Sequence, residues 1–114
     1  MPQPLRLTAD PELARAESLQ QSGRIVEAES VYRRVLARGP NNPSALHLLG
    51  LLARDFGHTG PAEGLLRRAV EFAPAEPDFR GNLGALLCEM GRLGEAAAEL
   101  GGETGTQGEK PGRS

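Results

Sequence analysis

Glycine returns at a fixed interval of 34 residues in this chain, at Gly23, Gly57 and Gly91, and an alanine follows each glycine five residues later. Other similar residues recur at the same interval: Ala16, Gly50 and Gly84; Leu49 and Leu83; Leu52 and Leu86; the arginine pairs 33–34 and 67–68; Pro40 and Pro74; and Pro43 and Pro77. So many matches at one interval are typical of a repeat architecture, in which each unit buries its apolar face against its neighbours.

The second half of each unit has the spacing of an amphipathic helix. Apolar residues fall at i, i+3, i+4, i+7 and i+8, which places them on one stripe. The stripes are Ala28, Val31, Tyr32, Val35 and Leu36 in the first unit, and Ala62, Leu65, Leu66, Ala69 and Val70 in the second. Glutamate and arginine on the outward faces are spaced for weak i, i+4 pairs. Gly39-Pro40 and Pro74 are expected to end these helices, because proline cannot continue a helix interior.

The first half of each unit is predicted to be a helix that begins at a proline, where the missing N–H costs nothing. The three starts are Asp10-Pro11, Asn42-Pro43 and Glu76-Pro77. The central helix, residues 43–56, is apolar almost all round and therefore needs cover on several sides. A helical hairpin on each flank would provide that cover.

The recurring small residues have two predicted roles. Gly23, Gly57 and Gly91 separate the two helices of a unit, where a left-handed residue reverses the chain at least cost. Gly50 and Gly84 fall inside a helix, where glycine costs about 1 kcal/mol relative to alanine. That cost is explained if the partner helix crosses closely at these positions, with the alanines at 28, 62 and 96 as the facing residues.

Composition narrows the class of protein. The 114 residues carry 13 basic and 15 acidic side chains, and this balance gives no basic excess for nucleic acid. The first residues lack the apolar core of a secretory signal, and the longest apolar run, 48–53, is too short to cross a bilayer. The single cysteine, Cys88, excludes an internal disulfide and a multi-thiolate metal site. We expect a cytoplasmic protein without cofactor or metal.

The repeated residues resemble the tetratricopeptide repeat, whose pattern has L-G-x-x-Y on the first helix, A-x-x-x-F on the second and a closing proline. Leu49-Gly50 and Leu83-Gly84 match the first element, while Ala28 with Tyr32, Ala62 with Leu66 and Ala96 with Leu100 match the second. The resemblance implies an all-α fold of antiparallel helical hairpins stacked as a right-handed superhelix. It spans residues 9–100, with units at 9–42, 43–76 and 77–100, the last incomplete.

In the family, the first helices line a concave groove that binds partners. Carrying the groove positions over gives Leu13, Glu17 and Gln20 in unit one, His47, Leu51, Arg54 and Asp55 in unit two, and Asp78, Gly81, Asn82, Ala85 and Glu89 in unit three. The resemblance implies that Leu13 and Leu51 supply apolar affinity. Specificity is expected from the polar residues His47, Arg54, Asp55, Asn82 and Glu89.

The predicted groove residues differ from those of two specialised grooves in the family. The co-chaperone clamp for a C-terminal carboxylate needs lysine, asparagine and arginine. The corresponding positions here do not supply them, since they hold Leu13, Glu17, Gly81 and Ala85. The O-GlcNAc transferase array has a ladder of asparagines in its groove, and Asn82 matches one of them. The residues equivalent to Asn82 in the other two units are Leu48 and Ala14, which do not continue the ladder. The G-x-x-x-E-A turns nevertheless resemble bacterial arrays that are fused to glycosyltransferases or sulfotransferases.

The third unit departs from the pattern after Ala96. Residues 101–114 are rich in glycine and contain no apolar side chain, so we expect a disordered tail, and residues 1–8 form an N-terminal extension. A short last helix would leave Leu83, Leu86 and Leu87 poorly covered. We therefore expect either a truncated array or a covered end, and self-association into a homodimer through this end is one alternative.

No catalytic constellation is present among the residues that invite one. His47 and His58 lack a second ligand at chelating spacing, and Cys88 has no histidine near it in sequence, so a buried or groove-edge thiol is expected. The leading hypothesis is a non-catalytic scaffold that binds a protein partner, as a peptide or helix, in its groove, with no role for nucleic acid or membrane. The alternative is the N-terminal, substrate-presenting segment of a larger glycosyltransferase or sulfotransferase.

Overall fold

The computed structural model describes residues 10–101, and the predicted extension and all of the predicted tail after Gly101 lie outside this range. Across the described range the regular structure is entirely α-helical. The six helices are α1 (Pro11–Gln21), α2 (Ile25–Arg38), α3 (Pro43–Asp55), α4 (Thr59–Phe72), α5 (Pro77–Glu89) and α6 (Leu93–Gly101). The ends of α2, α3 and α4 lie within two residues of their predicted positions.

The three proline starts are confirmed, and two of them carry a side-chain cap. The Asp10 carboxylate accepts a hydrogen bond from the N–H of Glu12 at 2.9 Å. Asn42 Oδ1 accepts one from the N–H of Ala45 at 3.1 Å. Each satisfies a backbone donor that the first helical turn leaves without a partner. Glu76 makes no such side-chain hydrogen bond at the start of α5.

The three hairpin turns share one geometry. Gly23, Gly57 and Gly91 have φ values of 83°, 81° and 78°, in the left-handed region that favours glycine. At the middle turn the N–H of Gly57 donates to the carbonyl of Arg54 at 2.9 Å, and the N–H of His58 donates to that of Ala53 at 2.9 Å. This is the Schellman pattern, which satisfies the last carbonyls of α3 while the chain reverses.

The helices pack as three hairpins in a row. α1 pairs with α2, α3 with α4 and α5 with α6, and successive hairpins meet through α2 with α3 and α4 with α5. The core runs through all three hairpins. Leu46 of α3, Ala69 of α4 and Phe79 of α5 form a buried cluster that joins the second hairpin to the third. This arrangement is a helical-repeat solenoid, as the period predicts.

The close approach inside each hairpin is confirmed at Gly50, but the facing residue differs from the prediction. A Cβ atom on Gly50 would lie 2.8 Å from Cδ2 of Leu66 and 3.2 Å from Cβ of Leu65. The crossing therefore places leucine, and not Ala62, against the glycine. Ala62 is itself fully buried, so it still serves the packing of the hairpin.

The expectation that Leu83, Leu86 and Leu87 are poorly covered is wrong. All three are at most 1% exposed, because they pack with Ala62 and Leu66 of α4 and with Ala96 of the short α6. The exposed apolar residues at this end belong to α6 instead, where Leu93 and Leu100 are 65% and 55% exposed. Self-association through this end stays a prediction.

Replacing Gly50 with alanine tests the hairpin crossing. Alanine favours a helix by about 1 kcal/mol over glycine, but here the added methyl group would collide with the side chain of Leu66, which is fully buried. We expect the Gly50→Ala variant to lose roughly 1–2 kcal/mol of unfolding free energy in urea titrations followed by circular dichroism.

Gly64→Ala is the matched control, since Gly64 lies inside α4 and a methyl group added there would have open space for 4 Å around it. This variant should gain about 0.5–1 kcal/mol. Equal gains at both positions would contradict the close crossing.

Candidate functional site: the concave groove

The predicted groove face is built where the first helices of successive hairpins meet. α3 and α5 contact each other directly, and two side-chain pairs cross this contact, His47 with Asn82 and Arg54 with Glu89. In both pairs the partners are 35 residues apart. The pairs are also separated by two helical turns along each helix, so they form two successive rungs between neighbouring units.

His47 is a buried rung and not an open groove residue. Its side chain is 7% exposed, and its ring stacks on that of Phe79 with 4.3 Å between the ring centroids. Burial lowers the pKa of His47 to about 4, although the carboxylate of Asp78 partly opposes this shift. The neutral ring accepts a hydrogen bond through Nε2 from the Asn82 amide, at 2.9 Å. Two of the residues predicted to give specificity, His47 and Asn82, are thus paired with each other.

Arg54 and Glu89 form the second rung at the groove surface. The guanidinium Nη2 of Arg54 lies 2.7 Å from Oε2 of Glu89, and the hydrogen bond with Glu89 raises the pKa of Arg54. The Glu89 side chain remains 49% exposed and that of Arg54 29%. A pair this open to solvent contributes little to stability, about 0–1 kcal/mol. It does neutralise the one cation among the predicted groove residues.

Between α1 and α3 the groove contains a depression of about 320 Å³, lined by Glu17, Gln20, Gln21, Tyr32, Leu48 and Leu51. The Tyr32 hydroxyl donates to Oε1 of Gln20 at 2.9 Å. Burial, together with the charge of Glu17, raises the pKa of Tyr32 to about 12, and burial also raises the pKa of Glu17. The depression therefore combines an apolar floor with polar groups at its rim. We call it the groove depression.

Leu13 does not line the groove. It is 1% exposed and belongs to the core of the first hairpin. Leu13 and Leu48 precede His47 and Asn82 by 34 residues, so the first junction has leucines at the positions where the second junction has a polar rung. Sequence spacing places a residue on a helical face, but it does not show how deeply the neighbouring helix covers that face.

The remaining predicted groove residues are accessible. Asp55, Asp78 and Glu89 are exposed, and Leu51 and Ala85 are half-buried. Cys88 is exposed, so the expectation of a buried thiol is wrong, while its place at the edge of the groove stays a prediction.

Three lining residues were absent from the predicted set: Gln21, Tyr32 and Leu48. Leu48 could have been found from its equivalence to Asn82 at the 34-residue interval. Tyr32 belongs to the second helix, which the groove pattern does not include.

No set of three or more histidine, cysteine, aspartate or glutamate side chains within residues 10–101 is arranged to hold a metal ion. Over the same range, every helix is too short or too polar to cross a membrane.

Stacked helical hairpins define this molecule as a helical-repeat scaffold. The sequence profile of the tetratricopeptide repeat matches residues 9–52. Together with the six-helix solenoid, this match shows that the chain is a tetratricopeptide-repeat protein. No curated protein sequence matches the chain significantly.

The solved structures that are similar to the chain include the following two. A mutant of the Thermobaculum terrenum O-GlcNAc transferase is 38% identical over 87% of this chain, with a TM-score of 0.75, and the chain spans 19% of that transferase's length. The other is the Yersinia enterocolitica type III secretion translocator chaperone SycD, in an alternative dimer, with a TM-score of 0.71. It is 21% identical, and the match covers 79% of this chain and 68% of the SycD chain. The second likeness supports the fold alone.

The buried His47 predicts a pH dependence of stability. Its folded-state pKa of about 4 lies below the ~6.5 of an unfolded histidine, so the unfolded chain binds more protons between these values. The free energy of unfolding should therefore fall as the pH decreases from about 6.5 to about 4, by an amount on the order of 2–3 kcal/mol.

Urea titrations at several pH values would measure this loss. His47→Gln should remove most of it, because glutamine does not titrate, whereas His58→Gln at an exposed turn should leave it unchanged. If the stability of His47→Gln has the same pH profile as that of the parent protein, the assignment of a buried, neutral His47 ring as the cause is wrong.

Proposed function

We propose that the concave groove binds a cationic peptide segment of a protein partner. The accessible groove carries the carboxylates of Glu17, Asp55 and Asp78, whereas the charges of Arg54 and Glu89 offset each other in their ion pair. Negative charges that line one surface attract a cationic ligand and repel an acidic one. This excess of carboxylates is the observation on which the proposal rests.

The groove depression would receive an apolar side chain of the same peptide. Leu48 and Leu51 provide its apolar surface, while Glu17 and Gln20 lie beside them. An apolar anchor set among polar groups is the usual source of affinity in a peptide-binding groove. The fitting ligand therefore carries a large apolar residue next to lysine or arginine.

Blocking the groove tests this proposal. Partners captured on the intact protein would be compared with those captured on Ala85→Arg, which fills the groove, and on Ala37→Arg, which makes the same change on the exposed face of α2. Isothermal titration of a captured peptide should then show at least a tenfold loss of affinity for Ala85→Arg and Leu51→Glu, which corresponds to about 1.4 kcal/mol.

The peptide should also bind more weakly at high salt, since screening shortens the reach of the acidic groove. Equal affinity of the Ala85→Arg and Ala37→Arg variants, or binding that is indifferent to salt, would contradict the assignment of the groove.

A second candidate function is the presentation of substrates to a transferase domain. The observation that favours it is the 38% identity to a stretch that makes up 19% of an O-GlcNAc transferase chain. Sequencing the DNA around the gene would test it. The candidate predicts a glycosyltransferase or sulfotransferase catalytic domain encoded in the same or the adjacent reading frame, and an intact neighbouring gene of unrelated function would contradict it.

A further inference from the structure

Glu17 is a groove carboxylate that has no cation partner in the described part of the chain. Within residues 10–101 it takes part in no hydrogen bond or ion pair, and burial raises the pKa of its carboxyl group. Glu89, in contrast, is paired with Arg54, while Asp55 and Asp78 are exposed to solvent. A half-buried carboxylate without a partner loses hydration and receives no interaction in exchange. Glu17 is therefore the groove charge that gains most from a cation supplied by a ligand.

The other residues that line the groove depression leave this carboxylate unpaired. Gln20 lies one turn after Glu17 on the same wall of α1, but the Tyr32 hydroxyl holds its amide through a hydrogen bond of 2.9 Å. The wall on α3 is formed by Leu48 and Leu51, whose side chains have no polar atom. The depression of about 320 Å³ thus has a negative charge on one wall and apolar side chains on the other.

Of the two junctions that the structure describes, only the first combines these features. The residues that follow Glu17 at the 34-residue interval are Leu51 and Ala85, and neither carries a charge. At the second junction Asn82 takes the place of Leu48, and its amide is already hydrogen-bonded to α3. A carboxylate beside an apolar surface is therefore particular to the groove depression.

We propose that Glu17 forms an ion pair with a lysine or arginine of the bound peptide, next to the apolar side chain that enters the groove depression. This pairing rests on the proposed peptide-binding function of the groove, and it makes Glu17 the residue that selects the basic side chain. Charge complementarity fixes the sign of that side chain, because a cation supplies the interaction that the half-buried carboxylate lacks. The exposed Asp55 and Asp78 act on the ligand at longer range, through the general field of the groove.

The probe is the tetrapeptide Ac-Ala-Leu-Lys-Ala-amide, which carries one apolar side chain and one cation. The matched peptide has norleucine in place of lysine, so it keeps the aliphatic stem and lacks the ammonium group. Each peptide is titrated into the isotope-labelled protein, and its dissociation constant is measured from the amide chemical shifts of α1 and α3. The protein variants are Glu17→Gln and, as the matched control, Asp55→Asn. Each removes one groove charge, but Asp55 does not line the groove depression.

The intact protein should bind the lysine peptide about tenfold more tightly than the norleucine peptide. Glu17→Gln should reduce this preference to about twofold or less, whereas Asp55→Asn should retain most of it. The norleucine peptide should bind Glu17→Gln as tightly as the intact protein, since it has no cation to pair with the carboxylate. Circular dichroism should show unchanged helix content in both variants, because each substitution preserves the size of the side chain.

Equal loss of the lysine preference in Glu17→Gln and Asp55→Asn would overturn the role of Glu17. It would show that the carboxylates act through their common field, and the proposed function of the groove would stand. Retention of the full preference in Glu17→Gln would also overturn that role and leave the function intact. Equal binding of both peptides to the intact protein, or unchanged amide shifts in α1 and α3 at about 10 mM of either peptide, would contradict the ion pair and the proposed function together.

Discussion

The mutual burial of neighbouring hairpins is the constraint on which this structure depends. α3 is apolar on nearly every side, and its own partner α4 covers only part of it. Leu49 and Leu52 are buried in one cluster with the first hairpin, while Leu46 is buried with Ala69 and Phe79 at the second junction. A hairpin taken alone would expose these faces, so each unit is stable only beside another.

This dependence produces two kinds of surface at each junction. On the groove side the His47–Asn82 and Arg54–Glu89 rungs cross the second junction at an interval of 35 residues, whereas the positions equivalent to His47 and Asn82 at the first junction hold Leu13 and Leu48. On the opposite side the second junction is closed by charges and the first is left open with apolar walls. The units share one backbone geometry, so their surfaces differ through a few side chains that do not repeat.

Much of the fold could be predicted because the relevant signals are local. A glycine that must adopt a positive φ, a proline at a helix start and an asparagine cap each act within a few residues, and each was found where the period places it. The positions of helices and turns follow directly from such signals.

The errors concern contacts between helices. Leu13, His47 and Gly81 occupy equivalent positions, yet Leu13 and His47 are buried and Gly81 is half-buried, because cover depends on what the adjacent helix places there. The same reason explains why Leu66, and not Ala62, meets Gly50. The depression lined by Val26, Leu49 and Phe56 could not be predicted because it results from residues that fail to repeat, whereas a period is recognised by the residues that do.

Native-state hydrogen exchange tests the stacking of hairpins most directly. If stability arises from contact with neighbours, helices between two junctions must open less often than helices at an end. The amides of α3 and α4 should then exchange most slowly and those of α6 fastest, in a graded order along the chain. Equal protection of all six helices, or the slowest exchange in α6, would show a single cooperative core and contradict the account.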